Sequence, residues 1–194
     1  MPNELIVFNI REYLEASKEK LEVLLSEFSC NKNIDVEEFL KIQSIEFTKK
    51  SQSVTYLVFT DDDLTFVGYF TIAIKPISIK AEVFSNTMKR KIARVSEFDE
   101  ENNTYSLSAY LIAQLGKNYV NNVNERISGE TLLGIAINTI KKMQYMVGGL
   151  VVFLESVNAE KLIDFYERNG LKRFATKKMK KNEQSSLIQM LTLL

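Results

Sequence analysis

Histidine is absent from all 194 residues, which removes the Ser/His/Asp triad, the Cys/His dyad, the histidine proton shuttle and every histidine-liganded metal site. Cys30 is the only cysteine, so an intramolecular disulfide and a multi-cysteine zinc site are excluded as well. With no histidine to activate it, the thiol reads as a reduced, partly buried small hydrophobe. Two prolines and seven glycines fall well below the roughly 12% of an average chain, which disfavours collagen-like sequence, long disordered linkers and Gly-rich small β folds. Net charge is missing too. With 25 basic and 25 acidic side chains there is no overall field to draw the chain to nucleic acid or an anionic membrane, and such a partner needs a local patch. No apolar run approaches the about 18 residues of a membrane span, and the stretch Leu5 to Ile10 is too short for a secretory signal. The expected location is therefore cytoplasmic, with no membrane partner and no metal.

What is present is the composition of a globular protein, 45% apolar and 26% charged, and at this length the expectation is one domain over residues 1–194. Leu5 to Asn9 reads as a strand, and Tyr13, Leu14, Leu21, Leu24, Leu25 and Phe28 recur at helical spacing behind it. Asp35 followed by Glu38 has capping-box spacing and opens a second helix with Val36, Phe39, Leu40, Ile42, Ile45 and Phe47 on its apolar face. Ser53 to Thr60 and Leu64 to Lys75 are β-branched and aromatic runs joined by Asp61-Asp62-Asp63, a hairpin that ends at Pro76. Residues 77–103 carry a basic and then an acidic segment and read as a solvated helix and loop.

Tyr105 to Leu115 is the next buried strand, and all but one of the seven glycines lie from Gly116 to Gly170. Ser128 to Val147 is a helix with Leu132, Leu133, Ala136, Ile137, Ile140, Met143 and Met146 inward, stopped by Gly148-Gly149. Leu150 to Leu154 is an apolar strand, and Asn158 caps a short helix that ends at Asn169-Gly170. Two strands follow, Leu171 to Thr176 and Leu187 to Leu193, across a Lys-rich turn. The order gives a mixed α/β sheet, not a doubly wound parallel one.

The strand-to-helix step near residues 115–133 is the natural anion site, because a helix start presents N–H groups without intrahelical partners. Arg126-Ile127-Ser128-Gly129-Glu130-Thr131 stands there with the spacing R-x-x-G-x-T. Glycine lets backbone approach a bulky anion, and arginine adds a fork of donors suited to phosphate. Taken alone, an ordinary Ser-capped helix start has the same appearance. Downstream, an apolar strand ending in Leu154-Glu155 leads to Asn158-Ala159-Glu160-Lys161-Leu162-Ile163-Asp164-Phe165-Tyr166-Glu167-Arg168-Asn169-Gly170-Leu171.

The pair of motifs, in this order, resembles the GNAT superfamily of acetyl-CoA-dependent N-acetyltransferases, whose phosphate loop is (R/Q)-x-x-G-x-(G/A) and whose late segment is N-x-x-(A/L)-x-x-(F/L)-Y-x-x-x-G-F. Thr131 and Leu171 depart from those patterns. The resemblance implies a GNAT-like acyl-CoA N-acyltransferase fold and acetyl-CoA as co-substrate. Leu115, Gly116 and Lys117 are then the strand edge along the pantetheine arm, and Arg126, Ile127, Ser128, Gly129, Glu130 and Thr131 hold the pyrophosphate. Asn158 contacts the arm or its sulfur end. Tyr166 matches the family's general acid, and a phenol titrating at about 10 suits protonation of a departing thiolate. Its alternative is a packed aromatic, and since Phe165 beside it faces elsewhere, one of the two leaves the core. Glu155, at its strand end, is the leading candidate for the base, against a solvated carboxylate with water as base.

The first half is similar, more loosely, to the GNAT branch of tRNA-acetylating toxins, through Phe28-Ser29-Cys30, Val36, Phe39-Leu40, Tyr56-Leu57-Val58 and Gly68-Tyr69-Phe70. The neutral charge and the lack of a second Arg in Leu115-Gly116-Lys117 depart from that branch. The resemblance implies transfer to a primary amine, on a protein, an aminoacyl-tRNA or a small molecule. The rival is a non-catalytic acyl-CoA-binding or regulatory module of the same fold. Lys172, Arg173, Lys177, Lys178, Lys180 and Lys181 form a basic cluster that is a solvated hairpin turn, an RNA contact or a seat for the adenosine 3′-phosphate of CoA. A second copy of the chain is a further candidate partner.

Overall fold

The computed structural model describes the backbone of residues 4–179 and 182–194 and the side chains of residues 4–178 and 186–194, so Lys180 and Lys181 lie outside the described residues. The elements run in the order β1 (Leu5–Asn9), α1 (Ile10–Ala16), α2 (Lys18–Ser26), α3 (Ile34–Glu38), a π-helical stretch (Phe39–Gln43), α4 (Ser44–Lys49), β2 (Val54–Thr60), β3 (Phe66–Lys80). They continue with α5 (Asn86–Ile92), β4 (Glu97–Asp99), β5 (Thr104–Lys117), α6 (Gly129–Val147), β6 (Val151–Val157), α7 (Glu160–Arg168), β7 (Lys172–Met179) and β8 (Asn182–Leu193). Among the described residues the strands join in the order β1-β2-β3-β5-β6-β8-β7, with β4 on β5. β5 and β6 are parallel, Tyr110 to Ile112 against Val152 to Leu154, and α6 is the crossover that a parallel pair requires. The pairs β1–β2, β2–β3, β4–β5, β6–β8 and β7–β8 are antiparallel, so the sheet is mixed as expected. No described helix is long and apolar enough to cross a membrane.

The chain forms two compact units, and β3, β5 and α6 each contribute residues to both. The first comprises Met1–Ala73 and Ala113–Asn138. Its core gathers Ile10, Leu21, Leu25, Phe28, Val36, Leu40, Leu57, Phe59, Phe66 and Tyr69, with Cys30 among them. Burial pushes the Cys30 thiol up, which suits the hydrophobe reading and not a nucleophile. Three readings of this unit need correction. The first helix is two helices: Ser17 leaves helical geometry (φ −168°), ends α1 and caps α2 by accepting from Lys20 N at 3.3 Å. The second helix is capped by Asn33, whose Oδ1 accepts from Asp35 N, so Asp35 sits inside the first turn. The π-helical turn then inserts an extra residue and rotates the apolar face, leaving Ile42 70% exposed while Ile45 stays buried.

The second unit comprises Ile74–Ile112 and Thr139–Leu194. Residues 77–103 are not simply a solvated helix and loop. β3 runs through Pro76 to Lys80, where its side chains are largely exposed, and Ile79, Ala81, Phe84 and Ile92 enter the same core as Leu107, Ala109, Val151, Phe153 and Leu191. The acidic segment supplies a hairpin turn, in which Asp99 accepts from Asn102 N at 3.0 Å and Asn102 Nδ2 at 2.8 Å. The inward face of α6 holds for Leu132, Leu133, Ala136 and Ile140, but Met146, one residue before the helix end, is 73% exposed.

Candidate functional site

The first unit carries the strand edge and the loop. β5 ends in Leu115, Gly116 and Lys117; the first and third are half-buried and Gly116 is buried. A Cβ on Gly116 would lie 2.4 Å from Val36 Cγ1, so the backbone here is as close to α3 as it can come. Lys117 turns back over the loop that follows and donates from Nζ to Asn124 O at 2.8 Å and Ile127 O at 3.0 Å. Burial, with Lys32 nearby, lowers its pKa. Asn118, buried, accepts on Oδ1 from Ser29 N and Val120 N and donates from Nδ2 to Phe66 O. A 3-10 segment, Val120–Arg126, then bends through Asn121 and Asn122 in the left-handed region (φ 47° and 61°), a geometry asparagine tolerates better than most residues.

Arg126 spends both terminal nitrogens on the turn between β2 and β3. Nη1 donates to Asp63 Oδ2 at 2.6 Å and Thr65 Oγ1 at 2.8 Å, and Nη2 to both oxygens of Asp62 at 2.8 Å. The Arg126 guanidinium holds the Asp63 carboxyl well below the usual carboxylate range. Ile127 is buried, and Ser128 starts α6: its Oγ accepts from Thr131 N at 2.9 Å and lies 2.8 Å from Thr131 Oγ1. Thr131, where the family loop has a small residue, is thus the partner of the cap. Gly129 is half-buried and Glu130 exposed at the first turn of the 19-residue helix.

The second unit carries the residues proposed for chemistry. Glu155, half-buried on β6, accepts from Lys177 Nζ at 2.9 and 3.1 Å and from Gln189 Nε2 at 2.8 Å. With Ile77, Leu111, Phe153 and Phe174 it lines a cavity of about 360 Å³. Asn158 is exposed and is not the cap of α7, a role taken by Ala159 with no side-chain bond. Tyr166 is half-buried in the last turn of α7, and burial pushes its phenol up. Phe165 is also half-buried, its ring edge-on to Tyr166 at 5.1 Å, so neither of the pair leaves the other alone in the core.

The end of α7 explains the spacing of Tyr166 from Gly170 and Leu171. Gly170, at φ 83°, donates its N–H to Glu167 O, and Leu171 N donates to Tyr166 O, the paired bonds of a Schellman closure. Buried Leu171 completes it. Of the basic cluster, Arg173 is paired with Glu167 and Lys177 with Glu155, which leaves less free positive charge than the sequence implies. Sequence reasoning missed Asp62, Asp63, Thr65 and Asn118. The signal available for the first two was a run of three aspartates at a hairpin tip in a chain with few other acidic runs, but nothing local pointed it to Arg126.

Sequence comparison finds no matching family model and no matching curated protein. Solved structures do match. A structure of AtaT complexed with acetyl-methionyl-tRNAfMet is 15% identical, covering 95% of this chain and 94% of that one, with a TM-score of 0.61. A Tyr-to-Phe mutant of KacT is 17% identical, covering 98% and 95%, at 0.64. AtaTR bound with acetyl-CoA is 16% identical, covering 100% and 94%, at 0.57. The fold of this chain is the GNAT-type acyl-CoA N-acyltransferase fold, and the similar structures fall in the toxin branch that the sequence resembled.

Proposed function

We propose that the chain is an N-acetyltransferase that moves the acetyl group of acetyl-CoA directly to a primary amine, with the α-amino group of an aminoacyl-tRNA the first acceptor to test. One observation carries the reading: a fold shared over 95% of the chain with a structure holding acetyl-methionyl-tRNA, in a chain that has R-x-x-G-x-T at the start of α6 and a Schellman-fixed Tyr166 at the end of α7. The fit to acetyl-CoA rests on the first unit. A long helix presents its N-terminus behind a loop fastened by Lys117 and Asn118, and Gly116 lets the end of β5 pack directly on the core side chains Val36, Phe28 and Tyr69.

Acetyl-CoA supplies the activated acyl group when bound. Backbone N–H groups of Ile127, Ser128, Gly129 and Glu130 face the task of holding its diphosphate, the strand edge at Leu115 to Lys117 takes the arm, and Asn158 its sulfur end. Tyr166, kept protonated by burial, gives its phenolic proton to the departing sulfur. Glu155, paired with Lys177, accepts a hydrogen bond from the incoming amine and takes its proton directly or through water. Direct transfer is what the GNAT resemblance implies, and neither a histidine nor an exposed thiol is present to act as an acyl carrier.

The acceptor is tested by following free-thiol release from acetyl-CoA with charged tRNA, uncharged tRNA, peptides and polyamines in turn. Release that needs the aminoacyl group supports the reading. Tight CoA binding with no release for any amine favours the rival, a non-catalytic acyl-CoA-binding module.

A further inference from the structure

We propose that Asp62 and Asp63 are positioning residues for the cofactor loop: with Arg126 they form a clasp that fixes the loop's backbone, and Arg126 is the cation of that clasp rather than a ligand of phosphate. The inference rests on the acetyl-CoA reading above and reassigns one of its residues.

The donor count comes first. A guanidinium has four terminal N–H groups, and here two go to Asp63 and Thr65 and two to the oxygens of Asp62. The acceptors are also built in advance. Asp63 Oδ1 accepts from Thr60 Oγ1 at 2.7 Å and Thr65 N at 3.1 Å, so the turn holds this carboxylate in place and leaves Oδ2 for the arginine. Asp62 Oδ1 accepts from Asp63 N at 3.0 Å. Arginine fits such a site because its planar fork meets two carboxylates at fixed angles, which an ammonium cannot.

Charge gives the second argument. Two carboxylates against one guanidinium leave a net negative charge at the clasp, a poor place to receive a diphosphate. The loop's other cation, Lys117, is likewise turned inward, onto Asn124 O and Ile127 O. Both cations of the loop are thus spent on holding its backbone, and the anion is left to the N–H groups at the start of α6.

The opposite arrangement, Arg126 as phosphate ligand with the aspartates as a placeholder, predicts effects of opposite sign. Calorimetric titration with CoA separates them in wild type, Asp62→Asn/Asp63→Asn, Arg126→Ala, Arg126→Lys and the triple variant. For the clasp, the Asn pair and Arg126→Ala each weaken CoA binding about three- to tenfold, the scale of breaking a partly exposed, bidentate pair. The triple variant is no weaker than either, because all remove one interaction. Arg126→Lys behaves like Arg126→Ala. An Asn pair that binds CoA as tightly as wild type or tighter, with Arg126→Lys near wild type, overturns the clasp and restores Arg126 as a ligand. Should the double variant fail to fold, Asp62→Asn alone, at an exposed carboxylate, gives the same test of sign. Wild-type protein that does not bind CoA overturns the proposed function itself, and the clasp's cofactor role with it.

Discussion

The loop before α6 and the turn after α7 are fixed by opposite means. The loop is held by side chains: Lys117, Asn118, Arg126 and Ser128 each make two or more hydrogen bonds along it or across to the β2–β3 turn. The turn after α7 is held mainly by backbone, through the Gly170 and Leu171 N–H groups, with one side-chain bond from Asn169 Nδ2 to Phe165 O. A site gripped by side chains answers to changes of charge. A residue placed by backbone, such as Tyr166, can lose its hydroxyl without disturbing its surroundings.

The largest effect that sharpens this contrast is chemical. Tyr166→Phe keeps the ring and the Schellman closure, so melting temperature and CoA affinity stay near wild type, while turnover on an identified acceptor falls about 10²- to 10⁴-fold for loss of a general acid. Near-normal turnover in steady-state assays removes Tyr166 as the acid.

Next is Gly129→Glu, on the side-chain-held loop. A carboxylate in the first turn of α6 favours the helix but stands where an anion is to bind. At CoA a hundredfold above its dissociation constant, the wild type gains about 3 kcal/mol of stability by linkage; the variant gains none, read as a missing melting shift. A normal shift moves the diphosphate elsewhere.

Smaller again is Gly170→Ala. Nothing lies within 4 Å of the added Cβ, so the cost is that of a side chain at φ 83°, about 1 kcal/mol. Thermal unfolding reads the cost, and a drop in turnover larger than the drop in CoA affinity shows that the closure places Tyr166. The last effect is one of pH. Burial raises the phenols of Tyr13, Tyr56, Tyr69, Tyr110 and Tyr166. The unfolded chain gives up these protons first as pH rises through about 10, so stability holds below that pH and declines above it. Denaturant unfolding from pH 8 to 11 measures it.

Where the sequence was legible, local chemistry and fold agreed. β1 has the bounds read from its short apolar run, Leu5–Asn9, and α6 begins one residue after Ser128, its cap. The motif spacing around Tyr166 marked a real closure. What was not legible depends on residues far apart in the chain. The pairing of Arg126 with Asp62 and Asp63 spans more than sixty positions. The π turn at Phe39–Gln43 shifts a helical pattern that looks continuous in sequence, and no residue type announces it. Residues 77–103 look polar because their apolar members, Ile79, Phe84 and Ile92, are spaced for a strand, a turn and a short helix in succession, so no single period emerges. Asn158 looked like a helix cap, yet α7 starts one residue later from Ala159.

The central claim places the diphosphate of acetyl-CoA on the backbone at the start of α6. Amide hydrogen exchange with and without acetyl-CoA addresses it residue by residue. The account predicts slowed exchange at the N–H groups of Ile127, Ser128, Gly129 and Glu130 when acetyl-CoA is added, and loss of that protection in Gly129→Glu. Tight binding of acetyl-CoA that leaves exchange at these four amides unchanged would contradict it.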